Sequence, residues 1–267
     1  MSTEETDLLE REKRCQVGVL TLNRPAARNC LSADLITALH RAVNDLSQDD
    51  GLRAIVITGA GSAFSSGHDL RELTAHRKDE DRGRAFFAET MSACSAMMLA
   101  ILRCPKPVIA AVNGIATAAG CQLVAACDLA VASTEAKFAT PGVKLGLFCT
   151  TPMVVVAGAV GRKRALELLL TGTPISAETA AEWGLVNRVV APDELEAATS
   201  GLAEQIASAS SLTLAIGKRA FYGQIDLALP LAYEHCQDVM SRNAAAADAQ
   251  EGMCAFLEKR TPTWTGR

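Results

Sequence analysis

The hydrophobic residues in the first half of the chain follow two alternating patterns. Short apolar runs bounded by turn residues occupy 16–22, 53–59 and 108–112, and such runs predict buried β-strands. Apolar residues recur at helical spacing after Ser32, and a longer stretch over about 85–102 has the length of a helix. Ser32 is the predicted N-cap of the first helix, because its hydroxyl can accept a backbone N–H.

The second half is dominated by helical patterns. The run "DLAVAS" (128–133) and the run "LVNRVV" (185–190) predict two more short strands, whereas most residues after about 150 show helical spacing. Strands that alternate with helices, followed by helices alone, predict a mixed α/β core with a helical C-terminal region.

The overall charge indicates no polyanionic partner. The chain has 267 residues, 49% of them hydrophobic, and a formal net charge of −4 at pH 7, so we expect neither nucleic acid nor a membrane as a partner. Residues 1–14 are polar and acidic, and they resemble neither a secretory signal nor an Arg-rich presequence. We therefore expect a cytoplasmic protein.

Several common cofactor and metal motifs are absent from the sequence. The nine cysteines include no CxxC pair and the four histidines are scattered, so we expect reduced thiols and no metal. The segment "TGAGSAF" follows a predicted strand as a dinucleotide-binding loop would, but Phe64 occupies the third glycine position. Ser66, His68 and Asp69 are close in sequence, but a catalytic triad forms in space, so we interpret them as a tight polar loop.

Two segments of small residues share a physical property. Both "SSGHD" (65–69) and "AAGCQ" (118–122) follow a predicted strand, and small residues allow a backbone to approach a ligand closely. The second segment also leads into a predicted helix, whose first N–H groups favour negative charge. One N–H from each segment, directed at one carbonyl oxygen, would form an oxyanion hole. Close packing of a helix on a strand is an equally good explanation of the same residues.

Longer motifs in the chain resemble those of the crotonase superfamily, whose name-giving activity is enoyl-CoA hydratase. The resemblance extends from about residue 15 to 260 and keeps the family's order and spacing. It rests on "FSSGHDLREL", "KPVIAAVNGIATAAGCQLVAACDLAVAS", "KFATPGVKLGL", "AVGRKRALELLLTGTPISAETAAEWGLVNRVV" and "EGMCAFLEKR". Some of these motifs are closest to one subgroup of the family.

The resemblance implies a fold, an assembly and a ligand. The fold would be α/β, a ClpP-like spiral of ββα units with a helical C-terminal region. The chain would divide into a polar N-terminal extension (1–14), a spiral core (15–200) and a helical trimerisation region (201–267). The assembly would be a homotrimer or a dimer of trimers. The ligand would be an acyl or enoyl thioester of coenzyme A, with CoA part of the substrate and no permanently bound cofactor.

The resemblance also implies roles for particular residues. The two oxyanion donors correspond to the backbone N–H groups of His68 and Ala119. Arg28 could pair with a CoA phosphate, although Ala26 replaces a lysine that is common in the family, and a solvated surface arginine is an equally good explanation of Arg28 or Arg71. The remaining implied substrate-binding residues lie in the same segments; they are Ser66, Gly67, Asp69, Leu70, Arg71 and Gly120.

The sequence departs from the family where hydration needs acid–base groups. Two glutamates activate water and deliver a proton in the hydratases, and here Gln122 and Gly142 occupy their positions. An amide does not ionise near neutral pH and cannot act as a proper general base. Losing one such group typically costs about 10²–10⁴ in rate. The family label would suggest hydratase activity in fatty-acid metabolism, but the residues make that activity doubtful.

Other groups near the implied site leave two questions open. His68, Glu72, Asp69 or Asp128 could replace a missing glutamate if the fold directs one of them inward. Cys121 and Cys149 flank the implied pocket. Inert packing explains these two cysteines better than a nucleophilic role, which would need a depressed pKa and a nearby base.

Three hypotheses for function remain. The chain is an acyl-CoA-binding protein with weak or absent hydratase activity, or it catalyses another CoA-thioester reaction such as isomerisation, decarboxylation or thioester hydrolysis. The third hypothesis is a non-catalytic scaffold with a vestigial pocket.

Overall fold

Two β-sheets and a set of helices make up the computed structural model, which describes residues 8–267. The strands are β1 (Leu9–Arg14), β2 (Val17–Leu22), β3 (Ala54–Gly59), β4 (Ala63–Ser65), β5 (Val108–Val112), β6 (Ile115–Thr117), β7 (Leu129–Ser133), β8 (Lys137–Ala139), β9 (Ile175–Ser176) and β10 (Arg188–Val190). The helices are α1 (Ala33–Ser47), α2 (Leu70–Ala75), α3 (Arg84–Arg103), α4 (Ala119–Ala126), α5 (Thr150–Val160), α6 (Arg162–Thr171), α7 (Ala177–Trp183), α8 (Leu195–Ala207), α9 (Ser211–Gln224), α10 (Leu229–Ala244) and α11 (Ala247–Glu258).

The chain forms a spiral because successive strands alternate between the two sheets. The larger sheet has the order β1-β2-β3-β5-β7-β10 and the smaller has the order β4-β6-β8-β9. In each of the pairs β3–β4, β5–β6 and β7–β8, the first strand belongs to the larger sheet and the second to the smaller one. A helical segment follows each pair. The predicted spiral of ββα units with a helical C-terminal region is therefore confirmed.

The predicted elements of the core form for the expected reasons. Strands β3 and β5 are buried between parallel neighbours, which suits their almost continuous apolar sequences. Helix α1 places Leu35, Leu39 and Val43 in the core, and the Ser32 side chain accepts the N–H of Leu35. The buried Lys106 ammonium donates to carbonyl groups at the end of the same helix, where unpaired carbonyls favour a cation.

The structure differs from the sequence prediction at two strands. Leu9–Arg14, which we assigned to a polar extension, pairs antiparallel with β2 at the sheet edge; residues 1–7 lie outside the described part. Its charged residues suit an edge strand, and Arg11 forms an ion pair with Asp45 at 2.9 Å. Strand β10 is shorter than predicted, because Leu185 and Val186 pack into the core before the strand begins. The division into three regions stays a prediction.

Helix α3 is long and apolar enough to span a membrane by length and composition. One face of this helix, which carries Cys94, Met97, Met98 and Ile101, is buried in the main hydrophobic core. Most of its other residues are not buried in the described structure, and the expectation that no membrane partner exists stays a prediction.

Two carboxylates, one partly buried and one fully buried, hold the C-terminal helices in place. Asp128, after α4, accepts hydrogen bonds from Lys218 at 2.6 Å and Tyr222 at 2.9 Å, and both donors lie on α9. Asp248 on α11 is 1% exposed and accepts from the Ser210 hydroxyl, from the N–H and hydroxyl of Thr265, and from the N–H of Gly266. Asp248 thereby joins the last residues of the chain to the start of α9.

Asp248 has a pKa of about 2: burial raises it, but the bonds from Ser210 and Thr265 outweigh that effect. Because the folded-state pKa is depressed, the stabilisation is present above the ordinary pKa near 3.8 and is lost as the pH falls towards 2. We expect Asp248→Ala to lower the free energy of unfolding by about 2 kcal/mol at pH 7. The difference from wild type should shrink between pH 4 and pH 2 in urea titrations.

The matched control is Asp238→Ala, which removes an exposed carboxylate whose ion pair with Arg242 lies within one helix turn. Such pairs contribute less than about 0.5 kcal/mol, so the control should change little. An Asp248→Ala effect that stays constant from pH 7 to pH 2 would contradict the assigned role of the ionised carboxylate.

Candidate active site

Three loops meet at one edge of the smaller sheet. Strands β4, β6 and β8 are parallel neighbours, so their C-terminal ends lie side by side. The segments that follow begin at Ser66, Ala118 and Thr140, and they contain the four positions at which the family resemblance places catalytic groups: His68, Ala119, Gln122 and Gly142. The carboxyl edge of parallel strands is a common place for ligand sites in α/β proteins.

Two glycines allow the first two loops to touch. A β-carbon on Gly120 would lie 2.2 Å from the carbonyl oxygen of Ser65, and one on Gly67 would lie 2.8 Å from the oxygen of Thr117. No other residue fits such separations without movement of the backbone. The Thr117 hydroxyl also donates to the Ser66 carbonyl at 3.1 Å. The two segments that sequence analysis paired are therefore in direct contact.

The backbone N–H groups of His68 and Ala119, one in each of these two segments, have no acceptor among residues 8–267. Two backbone hydrogen bonds flank the His68 N–H: the Leu31 N–H donates to the Gly67 carbonyl, and the Asp69 N–H donates to the Leu31 carbonyl. The N–H of Ala119 lies in the first turn of α4, where helical N–H groups have no partner within the helix. The β-carbon position of Gly67 lies 3.1 Å from the Ala119 nitrogen, which places the two segments side by side.

The residue before α4 has a strained backbone. Ala118 has φ of 50° and ψ of −118°, which is unusual for a residue with a side chain. Its N–H donates to the Ala139 carbonyl and its own carbonyl accepts from Gln122 N–H. These bonds hold the strained turn that directs the N–H of Ala119 out of the helix.

Neutral polar atoms without a partner line this corner of the described structure. The Gln122 Oε1 and the Thr140 Oγ1 are buried without a hydrogen-bond partner, in side chains that are 4% and 0% exposed. Orphaned buried atoms are rare in proteins and are often explained by a functional role or a bound water. Thr140 is not among the residues predicted from the sequence, although it lies two positions before Gly142 in the segment "KFATPGVKLGL".

Gly142 lies beside a cysteine. A β-carbon on Gly142 would lie 2.8 Å from the Sγ of Cys149, so the thiol occupies the space into which a longer side chain would extend. Burial raises the pKa of Cys149 and raises the pKa of Cys121 to about 12. Both thiols are therefore protonated at neutral pH, which agrees with inert packing and not with a nucleophilic role.

The His68 imidazole takes part in no triad in the described structure. Both ring nitrogens are buried without a partner, and Asp69 instead bonds to Arg24 at 3.0 Å. Burial lowers the pKa of His68, so the ring is neutral at pH 7.

The carboxylates considered as substitutes for the missing glutamates are already bonded within the protein. Asp69 caps α2 and pairs with Arg24, Glu72 accepts the N–H of Ala33 at 3.0 Å, and Asp128 bonds to α9. None of these three is available as a free base in this structure.

Four of the eight residues expected to bind the substrate are exposed, and the other four are buried or half-buried. Ala26 and Arg28 are exposed in the turn before α1, and Leu70 and Arg71 are exposed at the start of α2. A bond from the Ser66 N–H to the Arg28 carbonyl, at 3.0 Å, joins these two segments. Whether Arg28 or Arg71 contacts a phosphate stays a prediction.

A metal centre finds no support in residues 8–267. No group of three or more His, Cys, Asp or Glu side chains lies close enough to hold an ion.

The family and fold comparisons agree with this geometry. The sequence model described as "Enoyl-CoA hydratase/isomerase" matches residues 12–267. The subgroup to which the sequence motifs are closest is enoyl-CoA hydratase domain-containing protein 3, and the mouse and human members are 46% and 47% identical over 246 residues. Those 246 residues are 92% of this chain and 80% of either relative.

Solved structures give the same result. The crystal structure of the human domain-containing protein 3 has a TM-score of 0.92 and 46% identity, and covers 96% of this chain and 100% of that one. An enoyl-CoA hydratase of Mycobacterium smegmatis has a TM-score of 0.91 and 45% identity, with 96% and 98% covered. The resemblance to the crotonase superfamily and to this subgroup is confirmed.

The expectation of a cytoplasmic location is wrong. The mouse and human relatives are named as mitochondrial, as is a probable hydratase of Dictyostelium discoideum, which points to mitochondria. The expectation rested on the composition of residues 1–14. The composition of so short a segment does not determine the cellular location of a protein.

The contact between Gly120 and Ser65 can be tested by adding one methyl group. We expect Gly120→Ala to lower the free energy of unfolding by about 2 kcal/mol or more, because the new carbon overlaps backbone that cannot rotate away. The control Gly201→Ala adds a methyl group in α8 where no atom lies within 4 Å, and it should stabilise by about 0.4–1 kcal/mol. Equal effects in urea unfolding would contradict the close approach.

Proposed function

The chain belongs to the enoyl-CoA hydratase/isomerase family, and on that premise we propose that it binds an acyl-CoA thioester whose carbonyl oxygen accepts the N–H groups of His68 and Ala119. One observation carries the proposal: two backbone N–H groups without acceptors lie on two loops that glycines hold in contact. A fixed pair of such donors is the requirement for an oxyanion hole.

These donors would stabilise the negative charge that develops on the thioester oxygen. When a proton or another group leaves the α-carbon, the electron pair passes to that oxygen and forms an enolate. Each donor contributes about 3 kcal/mol to such a transition state, because it is oriented before the charge appears. The N-terminus of α4 adds a favourable dipole at the same point.

The hydration step itself lacks its usual groups. An amide at Gln122 and a glycine at Gly142 supply no ionisable side chain, and the nearby thiols are protonated. The buried Gln122 and Thr140 can hold a water or a polar part of the acyl group by hydrogen bonds, but they cannot take its proton near neutral pH. We propose that hydratase activity is weak or absent.

A reaction that needs fewer acid–base groups is the second candidate. It is favoured by the partnerless atoms of His68, Gln122 and Thr140, since neutral hydrogen-bonding groups suffice to orient a substrate for isomerisation, decarboxylation or thioester hydrolysis. Incubation with a panel of acyl-CoAs and mass spectrometry of the products distinguishes this candidate. A protein that binds thioesters and converts none of them is a binding protein, and one that binds none supports a vestigial pocket.

We expect the purified protein to bind acyl-CoAs with micromolar affinity in calorimetric titrations. It should hydrate crotonyl-CoA at least about 10²-fold more slowly than a hydratase that has both glutamates. Gln122→Ala should leave that low rate almost unchanged, because the amide transfers no proton. The control is Gln205→Ala, which removes an exposed amide on α8.

Ordinary hydratase turnover that Gln122→Ala abolishes would overturn the assignment of weak hydration. Failure of every acyl-CoA to bind would overturn the thioester site itself.

We also propose that the chain assembles as a trimer or a dimer of trimers. The last two helices expose Leu229, Met240, Phe256 and Leu257, each between 65% and 83% exposed. Large apolar side chains left this exposed on two successive helices favour an interface there. The family resemblance supplies the stoichiometry.

We expect light scattering after size exclusion to give the mass of three or six copies. Phe256→Glu combined with Leu257→Glu should shift the protein to smaller species, because two charges would be buried without partners. The control Leu99→Glu places a charge on an exposed position of α3 and should leave the mass unchanged. A monomeric wild type would contradict the assembly.

A further inference from the structure

We propose that Arg24 is a positioning residue that sets the place of the His68 N–H, an inference that rests on the thioester site proposed above. Arg24 follows β2 and lies outside the three loops of the site. It would act on the thioester only through the backbone that it holds.

The guanidinium of Arg24 joins two segments of the chain. It donates to the Cys30 carbonyl at 2.8 Å and to a carboxylate oxygen of Asp69 at 3.0 Å. The Cys30 thiol lies between them, since it accepts from Arg24 and donates to the same oxygen of Asp69, both at 3.2 Å. The planar fork of an arginine suits such a paired contact, and a lysine reproduces only part of it.

This ion pair is sheltered from solvent. The side chains of Arg24 and Asp69 are 23% and 13% exposed. Burial raises the pKa of Asp69, but the bonds from Cys30, Arg24 and two backbone N–H groups outweigh it, so the carboxylate is ionised at neutral pH. Removal of the cation would leave this partly buried charge without its partner, which costs more than the loss of an exposed pair.

The segment that Arg24 holds is itself rigid. Asn29 is fully buried, accepts the Arg24 N–H at 2.8 Å, and donates to the carbonyls of Ala60 and Ala63. The Ser65 hydroxyl in turn donates to the Asn29 carbonyl at 2.9 Å. The segment from Arg24 to Leu31 therefore forms a fixed support beside β4.

The His68 N–H lies between two bonds from this support. The Leu31 N–H holds the Gly67 carbonyl at 2.8 Å, and the Leu31 carbonyl holds the Asp69 N–H at 3.2 Å. The carboxylate of Asp69, the residue after His68, also accepts a hydrogen bond from the Arg24 guanidinium. The peptide that carries the free donor is thus fixed on both sides, and Arg24 anchors one of them.

The test uses cinnamoyl-CoA, a conjugated thioester whose absorption moves to longer wavelength when its carbonyl is polarised. We expect wild type to produce this red shift and Arg24→Met to lose at least half of it. The affinity for cinnamoyl-CoA should fall by about tenfold, whereas the affinity for free CoA, which has no carbonyl at this point, should change less than about threefold. A purely structural role would weaken both ligands alike.

A second measurement needs no ligand. In amide-resolved NMR, Arg24→Met should move the His68 amide resonance and speed its hydrogen exchange, while the Ala119 amide stays unchanged. Arg24→Lys keeps a charge near Asp69 and should give intermediate values, so the idea remains testable if the methionine variant does not fold. The matched control is Arg11→Met, which breaks the exposed ion pair between Arg11 on β1 and Asp45 on α1 and should behave as wild type.

The outcomes separate the two proposals. A wild type that binds no cinnamoyl-CoA overturns the thioester site, and the amide measurement then still decides whether Arg24 positions His68. A full red shift or an unchanged His68 amide in both Arg24 variants overturns the positioning role.

Discussion

The contact between the start of α4 and the end of β4 is the constraint on which the rest of the site depends. A helix can approach a strand this closely only where the helical residue at the point of contact has no side chain, and Gly120 meets that condition against the carbonyl of Ser65. The approach places the first turn of α4 beside the loop that contains His68. The strain at Ala118 is tolerated because the surrounding bonds to Ala139 and Gln122 fix it.

The chemistry that we propose for the site follows from the neutrality of its side chains. The N–H groups of His68 and Ala119 are free to donate to an oxygen atom. The side chains at the site are an amide, a hydroxyl, a neutral imidazole and protonated thiols. Such a set can polarise a carbonyl without offering a base. The charged side chains lie outside this set: Arg24 and Asp69 form an ion pair that holds the backbone on which the His68 N–H lies.

The sequence predicted the fold well because the core strands and helices depend on periodicity and turn residues. The run after Ser32 and the buried strand over 53–59 are examples in which local pattern and tertiary burial agree. The edge strand over Leu9–Arg14 was missed, because charged residues protect an edge and hide the alternation of a strand. Arg24 and Thr140 were missed for a different reason: their roles depend on partners, or missing partners, that are remote in sequence.

Gly142 and Cys149 bear on the history of the pocket. The thiol lies where the first carbons of a side chain at position 142 would go, so a glutamate there would require the Cys149 side chain to move or to be replaced by a smaller one. Neither change alone restores a second carboxylate: the first collides with sulfur, and the second only opens a void. Positions 142 and 149 therefore form one unit of substitution, and with Gln122 unchanged even their joint replacement would restore only one of the two carboxylates.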